Sequence, residues 1–211
     1  MLIRNQNQYC TLNRINNTPK SNNYKTYIPI PQDRLSFTGI IIKRINSKDE
    51  IKKILDLFYD SLVYNLEPNK TKSKFLRKID RFISMLPFSI SSKQPNSITE
   101  VIEKENKLIG GYSMTINPLK SSAHLGFITL APEYIRTKAG IEALKKLGTR
   151  IYENANANNV KELTWTTNSK NKNINNLLKR LGAEKVKEIA LGEAEYKISI
   201  NDLGKKLYNL V

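Results

Sequence analysis

The sequence has 211 residues, enough for one domain of ordinary size, and it contains one cysteine and one histidine. A single cysteine excludes an intramolecular disulfide, and a single histidine excludes a multi-histidine metal site, so we expect no metal. No apolar run reaches the ~20 residues of a membrane span, and the start lacks the apolar segment of a secretory signal. We therefore expect a cytoplasmic protein that makes no membrane contact.

The charge balance is strongly basic, with 35 Lys and Arg against 19 Asp and Glu and a net charge of +16. Such a balance attracts polyanions, namely nucleic acid, a membrane surface or a phosphorylated cofactor. The chain is also crowded with Lys, Asn and Ile together, which is the composition that an AT-rich genome produces without selection for charge. Composition alone leaves both explanations open.

The first 37 residues differ in composition from the rest of the chain. They are rich in Asn, Lys and Arg, contain one acidic residue, Asp33, and show no sustained periodicity. This pattern predicts a basic arm that is disordered or extended. An organelle-targeting peptide is an alternative, although the apolar residues form no amphipathic face. Residues 38–211 are predicted to form the folded domain.

The first half of this domain predicts a strand, two helices and a hairpin. A buried strand covers residues 40–42, and Ser47 lies three residues before Glu50, as in a capping box that starts a helix. A second helix is predicted over residues 74–86, and two strands over 97–116 are joined by a tight turn near Glu105 and Asn106. The apolar stripes are Ile51, Ile54, Leu55, Phe58 and Leu62 in the first helix, and Phe75, Ile79, Phe82, Ile83 and Leu86 in the second.

The second half alternates strands and helices. A strand ends at Pro132 and leads to a helix, another strand follows, and a short helix is ended by Gly182. A final hairpin is centred on Gly192, and a terminal helix follows it. The apolar stripes are Ile141, Leu144, Leu147, Ile151 and Tyr152 in the longer helix, and Ile174, Leu177, Leu178 and Leu181 in the shorter one.

The resulting element order is β-α-α-β-β-β-α-β-α-β-β. It predicts an α/β (α+β) fold, a mixed and mostly antiparallel sheet of six to seven strands flanked by about four helices.

The stretch "LAPEYIRTKAGIEALKKLG", residues 130–148, carries the clearest functional signal. A strand ends at a proline, a basic loop follows, and a helix begins. A helix N-terminus presents unpaired backbone amides and a partial positive charge, which together bind anions. Arg136 and Lys138 add cations at this end, where acidic side chains are normally preferred. From these features alone, a phosphate site and a chance cluster of basic residues are equally well supported.

This stretch, together with "NKNINNLLKRLGA" downstream and the element order, resembles the GNAT N-acetyltransferase family over about residues 38–200. The family loop reads Arg/Gln-x-x-Gly-x-Gly/Ala after the fourth strand, and its downstream segment reads Asn-x-x-Ala-x-x-x-Tyr-x-x-x-Gly-Phe. The resemblance implies a fold in which acyl-CoA lies in a V-shaped opening between the fourth and fifth strands.

The resemblance also implies a set of cofactor-binding residues. Leu130 and Ala131 would offer backbone groups to the pantetheine, and Asn171 would match the asparagine near the cofactor. Three positions depart from the family pattern. Ala139 and Ile141 stand where the family has glycines, and Leu178 stands where it often has a tyrosine that protonates the CoA sulfur. The residues that would wrap the pyrophosphate are Arg136, Thr137, Lys138, Ala139, Gly140 and Ile141.

Two residues are candidates for the general base of such a reaction. His124 stands where some family members place a glutamate that deprotonates the substrate amine, and a neutral imidazole can do this near pH 7. Glu100, on a neighbouring predicted strand, is the second candidate. Tyr112 and Trp165 could line the same cleft, although packing in the sheet and core is the favoured explanation for both.

The activity that this resemblance implies is transfer of an acetyl group from acetyl-CoA to a primary amine, by a monomer or homodimer. The missing glycines and Leu178 leave a second hypothesis open, a catalytically impaired module that binds CoA or a protein. The basic surface leaves a third and less favoured one, a nucleic-acid-associated protein.

Overall fold

The computed structural model describes residues 39–66, 74–91, 94–189 and 192–208. Three parts of the prediction lie outside this described part: the basic arm, the side chain of Phe75 and the residues just before Gly192. The strands are β1 (Ile40–Arg44), β2 (Ser97–Lys104), β3 (Lys107–Asn117), β4 (Ser122–Leu130), β5 (Glu162–Asn168), β6 (Glu184–Ile189) and β7 (Glu193–Ser199). The helices are α1 (Lys48–Leu66), α2 (Lys74–Ser91), α3 (Lys138–Ala157), α4 (Lys172–Leu181) and α5 (Ile200–Tyr208), with a short 3₁₀ turn at Pro132–Tyr134.

The seven strands form one mixed sheet in the order β1-β2-β3-β4-β5-β7-β6. Neighbouring strands run antiparallel except β4 and β5, which are parallel and are connected through α3. The predicted fold class is therefore confirmed, with seven strands and, among the described residues, five α-helices.

The helices cover the two faces of the sheet unequally. One apolar cluster joins one face to α3, α4 and α5 and includes Leu147, Leu178 and Leu203. A smaller cluster joins the other face to α1 and α2, where Phe127 of β4 stacks on Phe58 with ring centroids 4.9 Å apart. The sheet thus separates two apolar layers, and β4 contributes side chains to both.

The local signals of the sequence explain most element boundaries. The Ser47 hydroxyl accepts a hydrogen bond from the Glu50 amide at 3.2 Å and caps α1, as predicted. Glu105 and Asn106 both have positive φ, 53° and 63°, which is the geometry of a tight two-residue hairpin turn. Gly182 ends α4 in the left-handed region with φ 77°.

Helix α2 departs from the prediction in length and orientation. It continues through Pro87 to Ser91, one turn beyond the predicted end at residue 86. Met85 is buried, and Phe88 packs on the rings of Phe58 and Phe127. The predicted apolar stripe is instead exposed, because helical periodicity identifies an apolar face but not what covers it. The exposed fractions are 42% for Ile79, 68% for Phe82, 56% for Ile83 and 46% for Leu86.

A buried polar network ties α3 to the centre of the sheet. Arg150 of α3 donates to both carboxylate oxygens of Glu100 on β2, at 3.2 and 3.1 Å, and both side chains are at most 4% exposed. Tyr112 of β3 donates to Glu100 at 3.0 Å, and Asn154 donates to the Tyr112 hydroxyl at 2.8 Å. Burial and the Glu100 charge raise the pKa of Tyr112 well above its usual value, so the phenol stays protonated.

We expect Arg150→Ala to destabilise the protein by about 3–5 kcal/mol, because it leaves the buried Glu100 carboxylate without its cationic partner. Denaturant unfolding at neutral pH measures this change. The matched control replaces both partners, Arg150→Met with Glu100→Leu, and should cost less than Arg150→Ala alone. A double variant that is less stable than Arg150→Ala would contradict this account.

Candidate active site

The sheet opens between β4 and β5. The two strands pair only from Ser122–Leu125 to Glu162–Trp165, and the remaining residues of β4 have no partner on that side. Beyond this point β5 remains paired with β7, and β4 remains paired with β3. The sheet therefore contains a V-shaped gap whose apex lies at Leu125 and Trp165.

A bulge lies just past the apex. In the register of β3 against β4, Ser113 faces Phe127 and Met114 faces Leu125, so Gly126 is the extra residue. Because a bulge shifts the alternation of side chains by one, Leu125 contacts the α3 layer whereas Phe127 contacts the α1 layer. The bulge thus re-aims the backbone of β4 where the gap begins.

The N-terminus of α3 lies at the mouth of this gap and has free amides. Thr137 caps the helix by accepting from the Gly140 amide at 3.0 Å, and its carbonyl accepts from the Ile141 amide at 3.0 Å. Within the described part of the chain, the amides of Arg136, Lys138 and Ala139 make no hydrogen bond. Unpaired amides at a helix N-terminus and the exposed cations of Arg136 and Lys138 are groups of the kind that bind anions.

Two residues of this loop show how it is built without the family's glycines. Ala139 and Ile141 lie inside α3, where their helical geometry needs no glycine. Gly140 lets α3 pack closely against the turn before it, because a Cβ at this position would lie 1.9 Å from the Tyr134 carbonyl oxygen. Arg136 takes the strained left-handed conformation, with φ 67°, at the turn into the helix.

A small cavity of about 150 Å³, which we call the acceptor cavity, lies between the C-terminal half of α1, β4 and the start of α4. Its polar lining is neutral apart from Arg136, and its described lining contains no carboxylate. The neutral polar residues are Ser61, Asn65, Thr129, Asn171 and Asn173.

Thr129 is a lining residue that sequence reasoning missed. It is 4% exposed, and its hydroxyl has no hydrogen-bond partner among the described residues. A buried hydroxyl without a partner costs stability unless a ligand or water supplies one. The only sequence signal was a polar residue within the apolar end of β4, "GFITLAP", and that signal does not distinguish function from ordinary sheet packing.

Helices α1 and α4 meet across this cavity through side-chain amides. The side-chain Nδ2 of Asn173 donates to the side-chain Oδ1 of Asn65, a contact that joins residues 108 positions apart. Asn171 caps α4 by accepting from the Ile174 amide at 3.4 Å. Asn171, the asparagine predicted to lie near the cofactor, therefore lines the acceptor cavity and also caps the N-terminus of α4.

A second and larger cavity of about 410 Å³, which we call the apolar cavity, lies between α3, α4 and α5 and adjoins the acceptor cavity. The two cavities share the lining residues Ile128, Ile141, Leu144, Ile174 and Leu177. Leu125, Trp165 and Leu178 line it. Leu178 is 4% exposed, and it offers no proton donor at the position of the family tyrosine. The Trp165 ring nitrogen is buried and has no acceptor among the described residues.

His124 lies in the paired half of β4 and lines neither cavity. Its Nδ1 lies 3.2 Å from the Thr164 hydroxyl, which in turn donates to the Ala123 carbonyl at 3.4 Å. This pattern makes Nδ1 the protonated nitrogen and leaves Nε2 as the basic one. Desolvation lowers the pKa of His124 below its usual value despite the nearby Glu195 carboxylate, so the ring is neutral near pH 7.

The remaining predicted site residues have clear positions. Glu100 is held by Arg150 and lines neither cavity. The Ala131 amide donates to the Ile109 carbonyl at 2.8 Å, and its own carbonyl accepts from Tyr134, so its backbone is already engaged. Leu130 ends β4 and lines the acceptor cavity. Tyr112 is fully buried in the polar network.

The described residues contain no group of three or more His, Cys, Asp or Glu side chains arranged to hold a metal ion. None of their helices combines the length and apolar character needed to cross a bilayer.

Comparison with solved structures identifies the architecture. The PaiA N-acetyltransferase of Thermoplasma acidophilum, solved with coenzyme A, matches with a TM-score of 0.60 and 14% identity, over 76% of this chain and 98% of that one. An acetyltransferase of Streptococcus agalactiae matches at 0.54 and 17%, over 77% and 99%. The spermidine N-acetyltransferase of Vibrio cholerae, solved with CoA and spermine, matches at 0.51 and 13%, over 78% and 98%.

These likenesses establish that the chain has the GNAT acyl-CoA N-acyltransferase fold. The resemblance predicted from the sequence is thus confirmed at the level of the fold. No family model matches the sequence. No curated protein matches it either.

We expect Gly140→Ala to destabilise the protein by about 1–3 kcal/mol, because its Cβ would overlap the Tyr134 backbone. Denaturant unfolding measures the loss. Gly126→Ala is the matched control, since the nearest atom to its Cβ would lie 3.6 Å away, at ordinary contact distance. Equal effects of the two substitutions would contradict the packing role of Gly140.

Proposed function

We propose that this protein is an acyl-CoA-dependent N-acyltransferase that transfers an acetyl group from acetyl-CoA to a primary amine. The observation that supports this most strongly is the V-shaped gap between β4 and β5, with a bulge at its apex and free helix amides at its mouth. The solved relatives that contain CoA have the same fold and support the same cofactor.

The loop before α3 would hold the pyrophosphate of CoA. The amides of Lys138 and Ala139 and the positive end of the α3 dipole supply donors and charge without any glycine. Arg136 and Lys138 add side-chain cations at the same place. The pantetheine arm would then run into the gap along β4, where the unpaired edge of the strand offers backbone groups.

The chemical step in this proposal needs no covalent enzyme intermediate. The neutral amine nitrogen attacks the thioester carbon, the C–S bond breaks, and the amine loses one proton while CoA leaves as a thiolate that is then protonated. A thiol has an ordinary pKa near ~8.5, so the thiolate leaves without a strong acid, and Leu178 does not forbid the reaction. Backbone N–H groups near the Gly126 bulge would polarise the carbonyl.

The lining of the acceptor cavity favours an amine without further cationic groups. Arg136, its charged lining residue, would be paired with the pyrophosphate of CoA, and the described lining offers no carboxylate for a polycation. The net charge of +16 also repels polycations at long range. We therefore propose an amino acid or a related monoamine as the acceptor rather than a polyamine, although one relative of the same fold is a spermidine acetyltransferase.

A calorimetric titration of acetyl-CoA tests the cofactor site. We expect binding in the wild type and about 10–100-fold weaker binding in Arg136→Ala, the effect of losing one charge-assisted contact. Lys120→Ala is the matched control, because this lysine lies in the turn at the opposite end of β4.

Absence of binding at millimolar acetyl-CoA would contradict the proposal. Binding without release of free CoA thiol or formation of an amide with any amine would instead support a CoA-binding module. Leu178 is the structural feature that favours that second candidate.

The general-base role of His124 stays a prediction with its own test. Because its pKa is lowered, the dependence of kcat/KM on pH should show an inflection below ~6.5 from His124, in addition to the rise at higher pH from deprotonation of the free amine. His124→Gln should reduce kcat by about 10²–10⁴-fold and remove this inflection. A variant that keeps both the rate and the pH profile would show that His124 has no part in proton transfer.

A further inference from the structure

We propose that the apolar cavity takes the alkyl chain of an acyl group longer than acetyl. This inference rests on the proposed function and specifies its donor substrate. The cavity begins where the pairing of β4 and β5 stops, because Leu125 and Trp165 are both the last paired residues and lining residues. An acyl thioester that follows β4 to the apex would have its chain at the entrance.

The walls suit an alkyl chain better than a polar group. At the inner end the cavity is enclosed by Ile151, Leu163, Leu178 and Leu203, from four different elements. A tyrosine at position 178 would place a hydroxyl among these leucines, whereas Leu178 completes an aliphatic wall. The acceptor cavity is smaller, and its lining adds Arg136 and neutral polar side chains, which the inner end of the apolar cavity lacks.

The size of the cavity exceeds what an acetyl group needs. Its volume of about 410 Å³ lies within the range of sites that enclose drug-sized ligands, ~300–1,000 Å³. A cavity with an apolar lining is filled most favourably by apolar atoms, and each buried methylene strengthens binding by about fourfold.

Helix α5 closes the cavity through close contacts with α3. A Cβ on Gly148 would lie 2.9 Å from the Leu207 side chain, and a Cβ on Gly204 would lie 2.7 Å from the Tyr152 ring. These glycines let the two helices approach closely, so that Leu203 and Leu207 form a wall of the cavity. The enclosure is therefore part of the packed fold.

One polar feature fits the head of such a substrate. The Trp165 ring nitrogen is a buried donor without an acceptor among the described residues, and the residue is 6% exposed. An acyl thioester carries a carbonyl oxygen at the head of its chain and would supply that acceptor. The charged lining residues Lys145, Arg180 and Lys206 are exposed, so the interior of the cavity stays apolar.

Trp165 is the only tryptophan of the sequence, so its fluorescence reports directly on the cavity. We expect octanoyl-CoA brominated near the end of its chain to quench the emission of the wild-type protein, and CoA and acetyl-CoA to leave it nearly unchanged. Calorimetry with unbrominated octanoyl-CoA should give at least tenfold tighter binding than acetyl-CoA.

Leu178→Phe fills the inner end of the cavity and should reduce the octanoyl-to-acetyl affinity ratio by at least tenfold. Leu119→Phe is the matched control, because Leu119 is 97% exposed in the turn between β3 and β4 and touches no cavity. The fluorescence experiment needs no variant, so the inference stays testable if Leu178→Phe does not fold.

The outcomes separate this inference from the proposed function. Acetyl-CoA that binds at least as tightly as octanoyl-CoA, without quenching by the brominated chain, would overturn the acyl cavity and leave the acetyltransferase proposal standing. Failure of CoA, acetyl-CoA and octanoyl-CoA alike to bind would overturn both.

Discussion

The incomplete pairing of β4 with β5 is the constraint on which the rest of the structure depends. Backbone N–H and C=O groups inside a protein need partners, and a strand that loses its neighbour in mid-sheet leaves a row of them unpaired. The surrounding elements are arranged around this opening: the α3 N-terminus at its mouth, α1 and α4 across one side, and α5 closing the other. An extended ligand that follows β4 can satisfy groups that the sheet does not.

Much of the fold could be predicted from the sequence because its signals are local. The capping box at Ser47, the turn at Glu105 and Asn106 and the glycine after α4 each depend on a few neighbouring residues. Apolar periodicity then supplied the number and order of the elements. The same reasoning failed for α2, since its apolar residues show a face but not whether any element packs against it.

The site was less predictable because it depends on contacts between distant residues. The proposed phosphate role of Gly140 stays a prediction, and its close contact with the Tyr134 backbone could not be read from the sequence. Thr129, a polar residue in an apolar strand end, carried no signal until α1 was positioned over it. The buried pair of Glu100 and Arg150 connects residues 50 positions apart, and no pattern in the sequence indicates that partner.

The bulge at Gly126 also limits which insertions and deletions the chain can accept. If the strand ran regularly through Gly126 without a bulge, every side chain after it in β4 would exchange faces: Phe127 would leave the aromatic stack with Phe58, and Ile128 and Leu130 would turn toward α1. Deletion of Gly126 avoids this exchange, because Leu125 and Phe127 would then be consecutive residues, which point to opposite faces as they do now. Descendants of this chain can therefore change length in the turn at residues 118–121, and they could lose Gly126 without moving a side chain to the other face, but they would lose the bulge where the gap begins.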